Sequence, residues 1–301
     1  MGTPSFAVPS LDALVAHHDV LAVVTRPDAV TGRGSSLRPS AVKVRSLELG
    51  IPVIEPLSLA GPCTETLRRF AADVICVAAF GMLLPAETLS AAPAGCINVH
   101  ASLLPHHRGA APIARAILQG DPITGVSIMR MEEGLDTGPF ALQRTLPVGE
   151  VYAEELEASL ATLGAEALIE ALAAVADGSV VWTEQDPADA TYAAKLTKDD
   201  VALTPELSVS EAYARVRASS RRAPARACLG EGEVTVVRAH PDPGTTGAGT
   251  VCAIGGLPRI GFADGSLVLD VLRPAGRSDV TGAEWVRGAR LGADVCWRCT
   301  R

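Results

Sequence analysis

Asn98 and His100 stand one residue apart in the stretch Gly95 to Gly109, which reads G-C-I-N-V-H-A-S-L-L-P-H-H-R-G. In an extended strand, residues two apart share a face, so Asn98 and His100 point to one side and Ile97 and Val99 to the other. Pro105 prevents the run from continuing as a central strand, so the two polar groups come at a strand's end. That is where open α/β sheets keep their sites. Further on, Asp136 lies in the glycine-flanked turn Gly134-Leu135-Asp136-Thr137-Gly138, from which a loop can reach back. Carboxamide, imidazole and carboxylate make a complete set for acyl transfer. The amide can hold a developing oxyanion, the imidazole can take a nucleophile's proton, and the carboxylate can orient the imidazole. Each has a plainer alternative: His100 as a satisfied structural histidine, Asp136 as an ordinary turn residue. His106 and His107 are expected to face solvent, and Arg108 is either an anchor for its own loop or a substrate contact.

The elements that must position these groups read as an α/β domain. Apolar runs at Val20 to Thr25, Pro52 to Ile54 and Val74 to Ala79 alternate with helical patterns at Ser40 to Leu49 and Glu65 to Ala71, the mark of a mostly parallel sheet covered on both faces. No glycine-rich phosphate loop follows any of these strands, so the Rossmann-like pattern does not imply a nucleotide. Thr124 to Met131 and Pro139 to Val148 form an antiparallel pair around the Asp136 turn. Glu154 to Ala176 reads as one long helix with a leucine face, and the polar stretch from Thr183 to Thr191 as a linker. Beyond it, a helix at Ser208 to Ala218 precedes strand patterns at Val234 to Ala239, Gly249 to Ile254 and Ser266 to Leu272 and a short helix at Gly282 to Arg290. Short strands with Gly-rich turns suggest a small β-barrel.

Hydrophobic residues make up 48% of the 301 and charged residues only 20%, a composition with enough apolar surface for two cored domains. The apolar runs fall short of a membrane span and the N-terminus lacks a secretory pattern, so the expectation is a cytoplasmic protein with no membrane association. Seven cysteines show no disulfide framework. Cys63, Cys76, Cys96, Cys228 and Cys252 read as buried small hydrophobes; Cys296 and Cys299 have C-x-x-C spacing, but no further ligands complete a metal set. The net charge of −8 divides into −12 over residues 1–210 and +4 over residues 211–301. A basic C-terminal part on an acidic body is compatible with gripping a polyanion.

Asn98, His100, Ser102-Leu103-Leu104-Pro105, Arg108-Gly109-Ala110-Ala111-Pro112 and Leu135-Asp136-Thr137-Gly138 together resemble the signature of the 10-formyltetrahydrofolate-dependent formyltransferases. Gly2 to Phe6, Thr25 to Asp28 with Gly32-Arg33-Gly34, Ala79 to Pro85 and Tyr192 to Leu196 extend the likeness, which loosens over the last hundred residues. The resemblance implies a formyltransferase fold over residues 1–181, a linker over 182–200 and an OB-like, tRNA-binding domain over 201–301. It further implies transfer of a formyl group from 10-formyltetrahydrofolate, a consumed co-substrate, to the amine of methionine on initiator tRNA, with no metal and a monomeric protein. In that scheme Asn98, His100 and Asp136 are catalytic. Gly81, Leu83, Ser102, Leu103, Leu104 and Pro105 wall the folate pocket, and Arg33, Arg38, Arg221 and Arg222 contact tRNA. Two departures are visible. Relatives carry an apolar strand ahead of the Gly2-Thr3-Pro4 turn, expected here from residues upstream of Met1, and an aromatic segment where this chain has Ser219 to Ala227. A small amine such as an amino sugar is the alternative acceptor; a tRNA-binding relative without catalysis is the alternative of another class.

Overall fold

The structure, a computed structural model, describes residues 1–30, 37–242, 244, 246–289 and 295–300. They divide into two compact units: Met1–Pro112 with Ile123–Pro147 and Glu155–Ala193, and Ala194–Arg301 with Ile113–Pro122 and Val148–Glu154.

In the first unit, α1 (Val8–His17) opens with a proline in its first turn, where the missing N–H costs nothing. It leads to β1 (Val23–Val24) and the hairpin pair β2 (Ala29–Val30) and β3 (Leu37–Arg38). α2 (Ala41–Glu48) starts where the Ser40 hydroxyl accepts the Lys43 N–H. β4 (Val53–Ile54) runs parallel to β1, and α3 (Pro62–Arg69), β5 (Ile75–Ala78), α4 (Ala86–Leu89), β6 (Cys96–His100) and β7 (Arg108–Gly109) follow. α5 (Pro112–Gln119) clusters with the second unit. β8 (Ile123–Arg130), β9 (Phe140–Pro147), α6 (Ala153–Asp177) and β10 (Tyr192–Ala193) complete the first.

The main sheet has the order β5-β6-β8-β9, with β5 parallel to β6 and the last two strands antiparallel. All five residues of β6 are buried. Its Val99 face is closed by α6, which comes so near that a Cβ on Gly164 would lie 2.6 Å from the Val99 side chain. α6 has the length and hydropathy of a membrane-crossing helix, contrary to the sequence expectation. Leu156, Leu160 and Leu168 are nevertheless buried against protein, which accounts for that hydropathy without a bilayer.

Met1 and Gly2 occupy the gap between β1 and β5, where a strand was expected. Gly2 N–H donates to Val24 O at 3.0 Å and Ala78 N–H to Met1 O at 2.9 Å. The terminal ammonium donates to Cys76 O at 2.6 Å, and its burial lowers its pKa. Beside this short bridge lies a cavity of about 890 Å³, lined by Leu11, Val20, Val23, Val77, Leu168 and neighbouring residues. Among the cysteines, all free, only Cys96 is fully buried; Cys63 on α3 and Cys76, Cys228 and Cys252 on strands are half-buried, nearer the surface than expected. Burial pushes the Cys96 thiol up to about 12 and Cys76 to about 11.

The second unit begins its barrel with α7 (Val209–Ala218), started by a reciprocal Ser208–Glu211 capping box. Then come β11 (Arg226–Leu229), β12 (Gly232–Asp242), β13 (Val251–Ile254), β14 (Leu257–Gly261), β15 (Ser266–Pro274), β16 (Val280–Thr281), α8 (Gly282–Gly288) and β17 (Trp297–Arg298). The antiparallel order is β13-β14-β15-β12-β11-β17, and a bridge between Thr250 and Cys296 brings the two ends together into a nearly closed barrel. Its core takes its aromatics from Phe262 and Trp297, edge-to-face at 5.0 Å, with Trp297 Nε1 donating to Gly261 O. The stretch Ser219 to Ala227, which lacks an aromatic, instead buries Ala223, Ala225 and Ala227. β11, β14 and β17 were not expected from sequence. β11 is a four-residue strand, Arg-Ala-Cys-Leu, with no alternating pattern of its own, β14 contains Pro258, and β17 is a two-residue strand whose partner lies far away in sequence.

Candidate active site

The strand period delivers the first two groups as expected. Asn98 pairs across the sheet with Val77 and Met129, and His100 with Ser127, both on the face opposite α6. Asn98 is 8% exposed and His100 6%, buried yet still reached from one side. No hydrogen bond within the described residues takes up the Asn98 carboxamide, whose protons therefore remain available to a developing negative charge.

His100 Nε2 lies 3.0 Å from the carbonyl oxygen of His107. A carbonyl only accepts, so the neutral ring carries its proton on Nε2 and Nδ1 is the basic nitrogen. Asp136 Oδ2 lies 3.7 Å from Nδ1, beyond hydrogen-bond reach in the resting site. The carboxylate is itself held: Oδ2 accepts the Gly109 N–H at 2.9 Å. Asp136 has φ 52°, a left-handed conformation that glycine adopts freely and that aspartate and asparagine adopt more often than other residues.

The loop after β6 is pinned by groups that sequence reading missed. Ser127 Oγ donates to Ser102 O at 2.7 Å and accepts the Leu104 N–H at 3.0 Å, while Gln143 Nε2 donates to Leu104 O at 2.8 Å. Ser102 Oγ closes the loop onto His106 O at 2.6 Å. The stretch expected to be a linker also packs here. Thr191 Oγ1 accepts the His107 N–H at 2.8 Å, and β10 pairs in parallel with β7. Gln185, 7% exposed, bonds Arg108, Asp136 and Gly138. Ser102 belongs to the motif, but Ser127, Gln143, Gln185 and Thr191 have no motif signal; their partners lie up to 84 residues away in sequence.

The other expected residues separate by burial. Gly81 and Leu83 are exposed, and Leu103 and Pro105 half-buried, so each offers surface to a ligand. Ser102 and Leu104 are buried and shape the loop from within. His106 is exposed as expected, but His107 is buried because its backbone turns inward at φ 57° to meet Thr191. Arg108 is an anchor: it is 4% exposed, and its Nε donates to Gln185 Oε1 at 2.9 Å. Arg33 lies outside the described residues. Arg38, Arg221 and Arg222 are exposed. Arg215 and Arg217, in the same basic part of the chain, donate to the carbonyls of Ala202 and Gly149. Among the described residues no group of three or more His, Cys, Asp and Glu side chains converges as a metal site would require.

A family model described as formyl transferase matches residues 1–172, and one described as formyl transferase, C-terminal domain, matches residues 195–290. The chain belongs to the formyl transferase family. The methionyl-tRNA formyltransferase of Methylobacterium sp. (strain 4-46) is 43% identical over 298 residues, 97% of this chain and 96% of that relative. The enzyme of the same name from Bordetella pertussis is 48% identical over 228 residues, 72% of this chain and 73% of that relative. Among solved structures, an N-formyltransferase from Helicobacter canadensis, in complex with folinic acid and dTDP-3-aminofucose, superposes with a TM-score of 0.64 at 16% identity. The match covers 91% of this chain and 97% of that one. At that identity it supports the fold, a formyltransferase fold followed by a second, smaller unit.

Proposed function

We propose that this formyltransferase moves the formyl group of 10-formyltetrahydrofolate to the α-amino group of methionine esterified to initiator tRNA. Its full-length relatives carry the name of that reaction. The observation that carries the catalytic reading is the Asn98 carboxamide, uncommitted and set two residues from a histidine with a free basic Nδ1 beside a held carboxylate. Such a set suits a substrate that supplies an activated acyl carbon, and 10-formyltetrahydrofolate supplies one.

An ester-linked α-amine has a pKa below the roughly 8 of a free terminal amine, so a neutral fraction is present at pH 7. Its lone pair forms the new N–C bond, and the carbonyl oxygen gains charge that the Asn98 amide protons stabilise. His100 Nδ1 takes the ammonium proton, directly or through water. The resulting imidazolium stands between the His107 carbonyl and the Asp136 carboxylate, both suited to positive charge. The C–N10 bond then breaks and a proton returns to the departing folate nitrogen, leaving His100 neutral. Gly81, Leu83, Leu103 and Pro105 form the folate wall in this reading, with Ser102 and Leu104 holding its shape; Arg33, Arg38, Arg221 and Arg222 meet the tRNA backbone. The protein works as a monomer in the cytoplasm, with no metal. Purified protein given 10-formyltetrahydrofolate with charged initiator tRNA and, separately, with nucleotide-linked amino sugars tests the acceptor. Formyl-methionine recovered from tRNA supports it; formylation of the sugar amine alone overturns it.

A further inference from the structure

The carboxylate of Asp136 depends on a turn that its own residues do not secure. Asp136 is left-handed, a conformation that costs a non-glycine residue of the order of 1–3 kcal/mol and persists only when its surroundings impose it. The grip comes from Gln185. Its Nε2 donates to Asp136 O at 2.8 Å and to Gly138 O at 2.6 Å, spanning the turn from one carbonyl to the next but one. Its Oε1 accepts from Arg108 Nε at 2.9 Å, and Arg108 precedes Gly109, whose N–H holds the Asp136 carboxylate. One side chain thus ties the backbone of the carboxylate residue to the strand that carries the carboxylate's donor.

The chemistry at that position admits one side chain. The guanidinium offers only donors and the two carbonyls only acceptors, so the group between them must accept at one end and donate twice at the other. A primary amide of glutamine's length does this. Glutamate would satisfy Arg108 but turn a charged oxygen toward two carbonyls, and methionine would satisfy neither.

We infer that Gln185 is a positioning residue for the transfer step, fixing Asp136 at the distance from His100 Nδ1 that stabilises the imidazolium; this rests on the catalytic reading of Asn98, His100 and Asp136 given above. A displacement of the order of 1 Å in such a group costs about 100-fold in rate. Gln185→Met is therefore expected to lower kcat by about 10- to 100-fold, with KM for 10-formyltetrahydrofolate and for charged tRNA within about twofold of wild type. The discriminating measurement repeats the change in an Asp136→Asn background. Once the carboxylate's charge is gone, losing its clamp has little left to remove, and Gln185→Met should cost less than about threefold there. Gln185→Glu, of the same size and still paired with Arg108, is read in the same cycle if the methionine variant does not fold. Equal losses in both backgrounds, a rise in KM without a fall in kcat, or near-wild-type kcat in both variants overturns the inference. His100→Ala is the control for the underlying reading. If it too retains full turnover, the catalytic assignment has failed; if it is slow while the Gln185 variants are fast, only the positioning role has.

Discussion

At His100 the resting geometry and the working geometry differ by one proton. The neutral ring is tied through Nε2 to the His107 carbonyl, and Nδ1 faces a carboxylate 3.7 Å away that becomes a true partner only when Nδ1 is protonated. In the proposed transfer the site is thus built for the state it passes through, which is where catalytic interactions belong. The loop after β6, proposed to wall the folate side, depends in turn on Ser127, which serves the Ser102 carbonyl and the Leu104 N–H at once. Ser127→Ala leaves both without that partner in a buried place. It should cost about 1–3 kcal/mol in urea denaturation and raise the folate KM more than it lowers kcat. Unchanged folate KM would show that the loop keeps its shape by other means. Asn98, His100 and Asp136 were legible in the sequence because a period of two and a glycine-flanked turn announce them. Ser127, Gln143 and Gln185 were not. Each is an unremarkable polar residue whose partners lie 16 to 77 residues away, and no local pattern encodes a long-range hydrogen bond.

Among the elements, α6 and β6 approach closely behind the strand that carries Asn98 and His100. Gly164 has no positive φ to justify a glycine; it is needed because Val99 Cγ1 would lie 2.6 Å from a Cβ there. Gly164→Ala gains helix propensity of about 1 kcal/mol yet drives a methyl group into a strand that cannot turn aside. The balance should be a net loss of about 1–2 kcal/mol in denaturant melts, with reduced turnover, since Asn98 and His100 flank Val99. Adding Val99→Ala should return much of the stability, and its failure to do so would place the strain elsewhere. The long helix was readable from hydrophobic period and the parallel strands from apolar runs, whereas β11, β14 and β17 were not, being short, proline-bearing or two residues long. A second effect at this scale concerns acid. Hydrogen bonds from Arg115 and then Thr197 hold the Asp200 carboxyl at about 2, below its ordinary value. A depressed carboxylate contributes stability above its unfolded pKa of about 3.9 and loses it as pH falls toward 2. After allowance for solvent screening the contribution is about 1 kcal/mol. Asp200→Asn should accordingly flatten stability between pH 4 and about 2 in acid titrations followed by circular dichroism, and an unchanged acid limb would contradict the pairing.

For the whole molecule, the acidic body and basic C-terminal part foreseen from charge counting are narrowed by the structure, which commits Arg215, Arg217 and Arg226 to carbonyls and to Glu233. The exposed Arg38, Arg221 and Arg222 remain for a polyanion. Each, changed to alanine, should reduce the slope of log affinity for charged tRNA against log salt by roughly 0.7–0.9 without altering folate affinity. A slope that stays constant across all three would remove them from the interface. Formyl transfer at the end of β6, as proposed, is tested most sharply by the single-turnover rate of His100→Ala with saturating 10-formyltetrahydrofolate and charged initiator tRNA. A general base contributes roughly 10²- to 10⁴-fold, so the rate should fall within that range while both substrates still bind. A rate within a few-fold of wild type would contradict it.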